Sequence, residues 1–251
     1  MDSFIRWIGG KKLLRKQIVN RFPEKIEKYV EVFGGAAWVL FYKDKHAEKE
    51  VYNDINSELV NLFRMAKYHP EAVEKELEYM LNSREMYNEY YTQDISKRTE
   101  IQRAARYFFL IKVSYGSKIT SFGGTPRNVL KVRDLTEVQK RLAKVLIENK
   151  NFEQLIKAQD GEGTLFYCDP PYYKTEKYYD MGDSVFGKEQ HIILRNTLSK
   201  IKGKFVLSYN DDPFIRELYK EFHIEEVERN KNLGNAAGGK KKYKELIITN
   251  Y

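Results

Sequence analysis

A chain of 251 residues, 42% apolar and 14% aromatic, has material for one sizeable core with a modest insert, which excludes disorder as its default state. Charged residues make up 32% and mix both signs, so the net +8 serves a polyanionic partner only where it is gathered into patches. A single cysteine, Cys168, excludes an intramolecular disulfide and a cysteine metal cluster; with no leader-like start and no membrane-length apolar run, a soluble protein of a reducing cytoplasm is expected.

In chain order, Leu13, Leu14, Ile18 and Val19 recur at helical spacing from Lys11 to Phe22, and Pro23 closes that segment. Tyr29 to Phe33 reads as a short buried strand running into Gly34-Gly35, followed by an apolar helix from Ala36 to Tyr42. Strand, glycine turn, helix is the first half of a nucleotide-binding α/β unit. A second strand, Glu50 to Tyr52, ends in Asn53-Asp54, and a helix starts near Ser57 and runs toward Lys67. From about Pro70 to Lys144 the chain turns polar and Tyr-rich, with helical patterns at Glu71 to Leu81 and Gln102 to Val113. The glycines, hydroxyls and basic groups that follow Ser114 read as a loop-rich insert. Alternation from Leu146 to Phe152 suggests a strand, and Thr164 to Cys168 is a second, leading into Asp169-Pro170-Pro171-Tyr172. Helix Glu189 to Lys200, strand Phe205 to Tyr209, helix Pro213 to Phe222 and strand Leu246 to Thr249 complete the pattern. Such alternation predicts an α/β fold, a mostly parallel sheet with helices on both faces.

Two prolines directly after a buried strand remove two backbone donors and stiffen the chain where it leaves the sheet. Rigidity there aims the Asp169 carboxylate and the Pro170 carbonyl, two acceptors that suit the two N–H donors of an amino group, with Tyr172 placed to stack on a ring. That arrangement fits chemistry on a base taken out of its stack, and it needs no metal. A ligand site is suggested by Glu31, Phe33, Gly34 and Gly35, where the glycines permit a tight turn and close backbone approach. Asp54 follows at about the spacing of a ribose-binding acid; its bland alternative is a helix N-cap, a role open also to Ser57.

Taken together, these segments resemble the Dam-type, or D12-class, N6-adenine DNA methyltransferases, in the family's order from end to end. Arg6-Trp7-Ile8-Gly9-Gly10-Lys11 resembles the N-terminal motif that holds the methionine end of the cofactor, and Glu31 to Gly35 resembles the first cofactor motif. Asn53-Asp54-Ile55-Asn56 is similar to the ribose motif, and Asp169-Pro170-Pro171-Tyr172 matches the catalytic tetrapeptide letter for letter. The resemblance implies a Rossmann-like fold and S-adenosyl-L-methionine as methyl donor. It implies a cofactor set of Trp7, Gly9, Gly10, Lys11, Glu31, Phe33, Gly34, Gly35, Asp54, Ile55, Phe152 and Asp169. It also implies a catalytic domain of residues 1–57 and 145–251, with a mainly helical target-recognition insert at 58–144.

Double-stranded DNA is the implied partner, with Arg6, Tyr115, Lys118, Arg127 and Asn128 as candidate contacts and Lys240 and Lys241 in a glycine and lysine loop that clamps the backbone. A cognate restriction endonuclease is a possible second partner, and a monomer in a bacterial or phage-infected cytoplasm is expected. Ala36-Ala37 stands where the family usually carries a further glycine, and Ser208-Tyr209-Asn210-Asp211 follows the family's segment near the target base except at Tyr209. Cytosine N4, RNA or a glutamine amide also offers an NH2 group; Asp before Pro-Pro points to adenine among relatives of this type. A DNA-binding module that acts by occupancy alone is the remaining alternative.

Overall fold

The computed structural model describes residues 1–124, 135–174, 186–230 and 242–251. Seven strands form a single sheet: β1 (Lys28–Glu31), β2 (Lys49–Asn53), β3 (Val145–Glu148), β4 (Thr164–Cys168), β5 (Lys204–Asn210), β6 (His223–Asn230) and β7 (Lys242–Thr249). Their order across the sheet is β3-β2-β1-β4-β5-β7-β6, parallel from β3 to β5 and antiparallel where β7 meets β5 and β6. The central strands are short apolar runs because both faces are covered, as parallel sheets require. Residues along β4 alternate between two cores: Leu165 and Tyr167 face one, Phe166 and Cys168 the other.

Helix α1 (Arg15–Val19) precedes β1, and α2 (Ser57–Tyr68), α3 (Pro70–Glu78), α4 (Arg84–Thr92), α5 (Glu100–Val113) and α6 (Leu135–Leu142) lie between β2 and β3. Leu59, Leu62, Phe63, Val73, Leu77, Phe108, Phe109, Leu135 and Val138 share one apolar core with Tyr52 and Tyr167 of the sheet, so the helices of the inserted stretch cover that face. Helices α7 (Phe152–Gln159), α8 (Lys188–Leu198) and α9 (Pro213–Leu218) cover the opposite face through Leu155, Leu194 and Ile215. Each buried ring or branched aliphatic chain contributes about 1.5–3 kcal/mol on leaving water. Local signals fix the helix starts. Thr99 and Gln102 form a reciprocal capping box at α5, Asn56 caps α2, and Asn151 caps α7.

Several elements differ from the sequence-based reading. Residues 36–42 form turns and one 3-10 turn, Leu40–Tyr42, in place of the expected helix, because Ala37 takes φ +54 and breaks the right-handed spiral. The first helix contracts to Arg15–Val19, since residues 12–14 form a turn in which the Leu14 and Arg15 N–H groups both donate to the Lys11 carbonyl. The strand expected to reach Phe152 stops at Glu148, and Phe152 instead opens α7 behind the Asn151 cap. Helices α4 and α6 and strand β6 lacked a distinct signal. α6 carries only three buried residues in its eight, and the HIEEVERN sequence of β6 reads as polar loop. Among the described residues no helix is long and apolar enough to cross a membrane.

Candidate active site

Strand order reverses at β1: the chain proceeds outward from β1 through β2 to β3 on one side and from β4 to β5 on the other. The loops leaving the carboxyl ends of β1 and β4 therefore part company, and the crevice between them is the usual ligand site of an open α/β sheet. Here it is a partly open cleft. Its walls include Trp7, Gly9, Gly10, Lys11, Glu31, Phe33, Gly34, Gly35, Asp54, Ile55 and Asp169, with Ile8, Ala36, Trp38, Val39, Asn56, Tyr167 and Pro171.

Three acids reach this cleft from three adjacent parallel strands: Glu31 ends β1, Asp54 follows β2 and Asp169 follows β4. Glu31 accepts a hydrogen bond from the Tyr29 hydroxyl at 2.6 Å, its neighbour two residues back on the same side of the strand. Burial pushes the Glu31 carboxyl up to about 8, against the Tyr29 hydroxyl and the Leu40 backbone N–H, which pull it down. Asp54 accepts the backbone N–H of Gly35 at 2.8 Å and that of Asn56 at 2.9 Å. Burial raises its pKa, and those backbone N–H groups oppose the rise. Asn56 caps α2 through its own side chain, so the capping role considered for Asp54 is filled by another residue.

The glycine turn is built by close approach. A Cβ on Gly34 would stand 2.2 Å from the Tyr52 ring, and that ring is stacked on Phe63 and tied by its hydroxyl to the Gly35 carbonyl at 2.8 Å. Gly35 has φ +49 and a Cβ there would meet the Trp7 ring at 2.9 Å, while one on Gly10 would meet the Trp38 indole at 2.6 Å. Two tryptophans thus lie flush on two glycines, locking the N-terminal turn to the turn after β1. Asn53 completes the frame, donating to the Val32 and Lys150 carbonyls at 2.9 and 3.0 Å.

Asp169 is held by Lys11, whose buried Nζ lies 2.7 Å from Oδ1 and also donates to the Gly9 carbonyl at 2.9 Å. The Ser208 hydroxyl donates to the same Oδ1 at 3.0 Å, so among the described residues Oδ2 accepts from none. Burial raises the Asp169 pKa; the Lys11 ammonium opposes it most strongly. The same ammonium lies 4.6 Å from the centroid of the Tyr172 ring, a cation–π contact, and Tyr172 donates its hydroxyl to Glu245 at 2.6 Å. Pro170 and Pro171 are buried, which fixes the chain between acid and ring.

The remaining expected residues are less central. Phe152 sits one layer back in a three-ring cluster with Phe33 and Phe186, 5.7 to 5.9 Å between centroids, and only Phe33 of the three lines the cleft. Arg6 is exposed next to Trp7. Tyr115 is 69% exposed and Lys118 is exposed, on a tight hairpin where Ser114 bridges Phe122 and Tyr115 N–H donates to Ser121. Arg127, Asn128, Lys240 and Lys241 lie outside the described residues. Sequence reasoning gave no role to Trp38, Tyr167 or Glu245, because each joins the site through packing or pairing far along the chain. Ser208 was detectable only as part of its segment.

The sequence pattern of the D12 class N6 adenine-specific DNA methyltransferases matches residues 7–233. The type II methyltransferase M1.LlaDCHI of Lactococcus lactis subsp. cremoris is 32% identical over 276 residues, covering 100% of this chain and 96% of its own. The type II methyltransferase M.MjaIII of Methanocaldococcus jannaschii is 30% identical, covering 100% and 99%. A DNA adenine methylase of Haemophilus influenzae is 23% identical, covering 97% and 92%.

Proposed function

The chain belongs to the D12 class of N6 adenine-specific DNA methyltransferases, and on that premise we propose that it transfers a methyl group from S-adenosylmethionine directly to N6 of an adenine turned out of duplex DNA. The observation that carries this reading is Asp169: Lys11 and Ser208 both occupy Oδ1, leaving Oδ2 as an acceptor at the mouth of a cleft that two further acids line.

The residues present fit the cofactor. A cradle in which added Cβ atoms at Gly34 and Gly35 collide with ring walls admits backbone-close ligand atoms. Asp54 suits a ribose diol, Glu31 a cationic amino group, and Phe33 with Ile55 an adenine ring. When bound, the cofactor supplies an electrophilic methyl group on a sulfonium. On the substrate side, Asp169 Oδ2 and the Pro170 carbonyl accept the two N–H groups of the target amine. Their pull enriches the nitrogen lone pair and aims it along the transfer axis. Tyr172 stacks on the purine, and base flipping exposes an atom that is unreachable inside the duplex.

Arg6, Tyr115 and Lys118 are proposed DNA contacts, with Arg127, Asn128, Lys240 and Lys241; the target-recognition unit is proposed at 58–144. The type II names of two relatives support a cognate restriction endonuclease as partner; a cytoplasmic monomer is part of the same proposal.

The test is single-molecule sequencing of genomic DNA from a host lacking its own methyltransferases, expressing wild type or Asp169→Ala. Modified adenines in one short motif, absent in the variant, are expected. Unmodified DNA despite folded wild-type protein would overturn the proposal.

A further inference from the structure

Three consecutive residues after the prolines are held from one place in the sheet. Tyr172 donates to Glu245 Oε2 at 2.6 Å, Asn210 Nδ2 donates to the Tyr173 carbonyl at 3.2 Å, and Lys174 Nζ pairs with Asp212 Oδ2 at 2.9 Å. Asn210 ends β5 and lies directly opposite Glu245 of β7 in the antiparallel pair. The clamp therefore comes from a single cross-strand position, with Asp212 just beyond it.

Glu245 is 5% exposed on a strand whose next three residues, Leu246, Ile247 and Ile248, are core. A carboxylate in such a place carries a desolvation cost that an apolar residue would avoid, so its retention calls for a specific partner. One partner observed is the ring hydroxyl of the proposed catalytic tetrapeptide. Residue 245 also stands beyond the 7–233 stretch that the family pattern covers.

We propose that Glu245 is a positioning residue that pins the far end of the Tyr172 ring through its hydroxyl, while the Lys11 ammonium on the ring face opposes its rotation. Stacking on a base requires a ring of fixed plane, and a ring carried by two prolines but anchored only at Cβ still rotates about its side-chain torsions. The bond to β7 stops the swing of the ring axis, and the Lys11 ammonium on the face opposes its turning, before the base arrives. This role rests on the reading of Tyr172 as the stacking ring.

The experiment compares wild type, Glu245→Leu, Glu245→Gln, Tyr172→Phe and the Tyr172→Phe/Glu245→Leu pair. It measures single-turnover methylation of a duplex carrying the enzyme's own site, cofactor affinity, and fluorescence of a duplex with 2-aminopurine at the target adenine. Glu245→Gln keeps an acceptor oxygen and is expected within about threefold of wild type, whereas Glu245→Leu and Tyr172→Phe each lose about tenfold to a hundredfold in rate, the size of one charge-assisted hydrogen bond. Cofactor affinity stays unchanged, the 2-aminopurine signal shifts in both slow variants, and the double variant is no slower than the slower single one. A fast Glu245→Leu, a Glu245→Gln as slow as Glu245→Leu, or additive losses would each overturn the role. Should Glu245→Leu fail to fold, Tyr172→Phe and Glu245→Gln decide it. Wild type without methyl transfer overturns the proposed chemistry and this role with it, whereas active wild type with indifferent variants overturns this role alone.

Discussion

Lys11 Nζ lies 2.7 Å from Asp169 Oδ1, so an ammonium from the N-terminal turn neutralises the acid that follows the fourth strand. Burial works to protonate Asp169 and Lys11 works to keep it ionised. Replacing Lys11 with Met is therefore expected to raise the pKa of Asp169 and move the acid limb of the pH–rate profile to higher pH. Turnover at neutral pH falls about a hundredfold or more, as when a catalytic charge loses its orienting partner. A pH–rate profile of the variant checks this; an unmoved acid limb would separate the pair's geometry from its electrostatics.

Glu31 gives a stability prediction of known sign. Its carboxyl titrates near 4.5 when unfolded and is raised to about 8 in the folded chain, so between those values the folded state holds the extra proton. Stability contributed by this group is present below 4.5 and is lost as pH rises toward 8, by a few kcal/mol. Urea titrations of wild type and Glu31→Gln across pH 5 to 8 are expected to diverge, with the variant flatter. The same proton should leave when a cationic group binds beside Glu31. Calorimetry of cofactor binding in buffers of different ionisation enthalpy near pH 7 then shows proton release that Glu31→Gln abolishes.

The glycine turn predicts opposite outcomes three residues apart. Gly34→Ala drives a methyl into the Tyr52 ring, which Phe63 and the Gly35 carbonyl hold in place, so a loss of about 1–3 kcal/mol and of cofactor affinity is expected. Ala37→Gly relieves a left-handed backbone at φ +54. The strain of about 1–2 kcal/mol it removes exceeds the entropy cost of the new glycine, so melting temperature rises slightly. Thermal denaturation of the two variants, with cofactor titrations alongside, measures both.

Arg141 of α6 pairs with Glu50 of β2 through both terminal nitrogens at 2.7 and 2.9 Å, each side chain 5% exposed, and also donates to the Leu40 and Lys43 carbonyls. Arg141→Ala strands a buried carboxylate and is expected to cost about 3–5 kcal/mol in chemical denaturation. Replacing both partners with apolar residues recovers most of that loss.

What the sequence made legible was what local chemistry dictates. Pro-Pro after a buried run, a glycine pair after another, and Asp54 after a third located three of the segments that line the cleft, because strand ends and tight turns announce themselves within a few residues. Packing and pairing stayed hidden. The turn at Ala37 takes a backbone conformation that alanine's identity argues against, and Phe152 moved from strand to helix because Asn151 caps it by accepting the Glu153 N–H. Strand β6 was missed because its alternation is largely charged, and Glu245 because its partner Tyr172 lies 73 residues earlier.

The last strand in sequence is not the last in space: β7 slips between β5 and β6, which pairs with nothing else in the sheet. Until that strand threads into its slot, β6 has no neighbour to join it to the sheet and the Tyr172 hydroxyl has no Glu245 to meet. Completion of the sheet and anchoring of the Tyr172 hydroxyl thus depend on the same strand, so a chain that lacks β7 lacks both the partner of β6 and the bond that holds the ring.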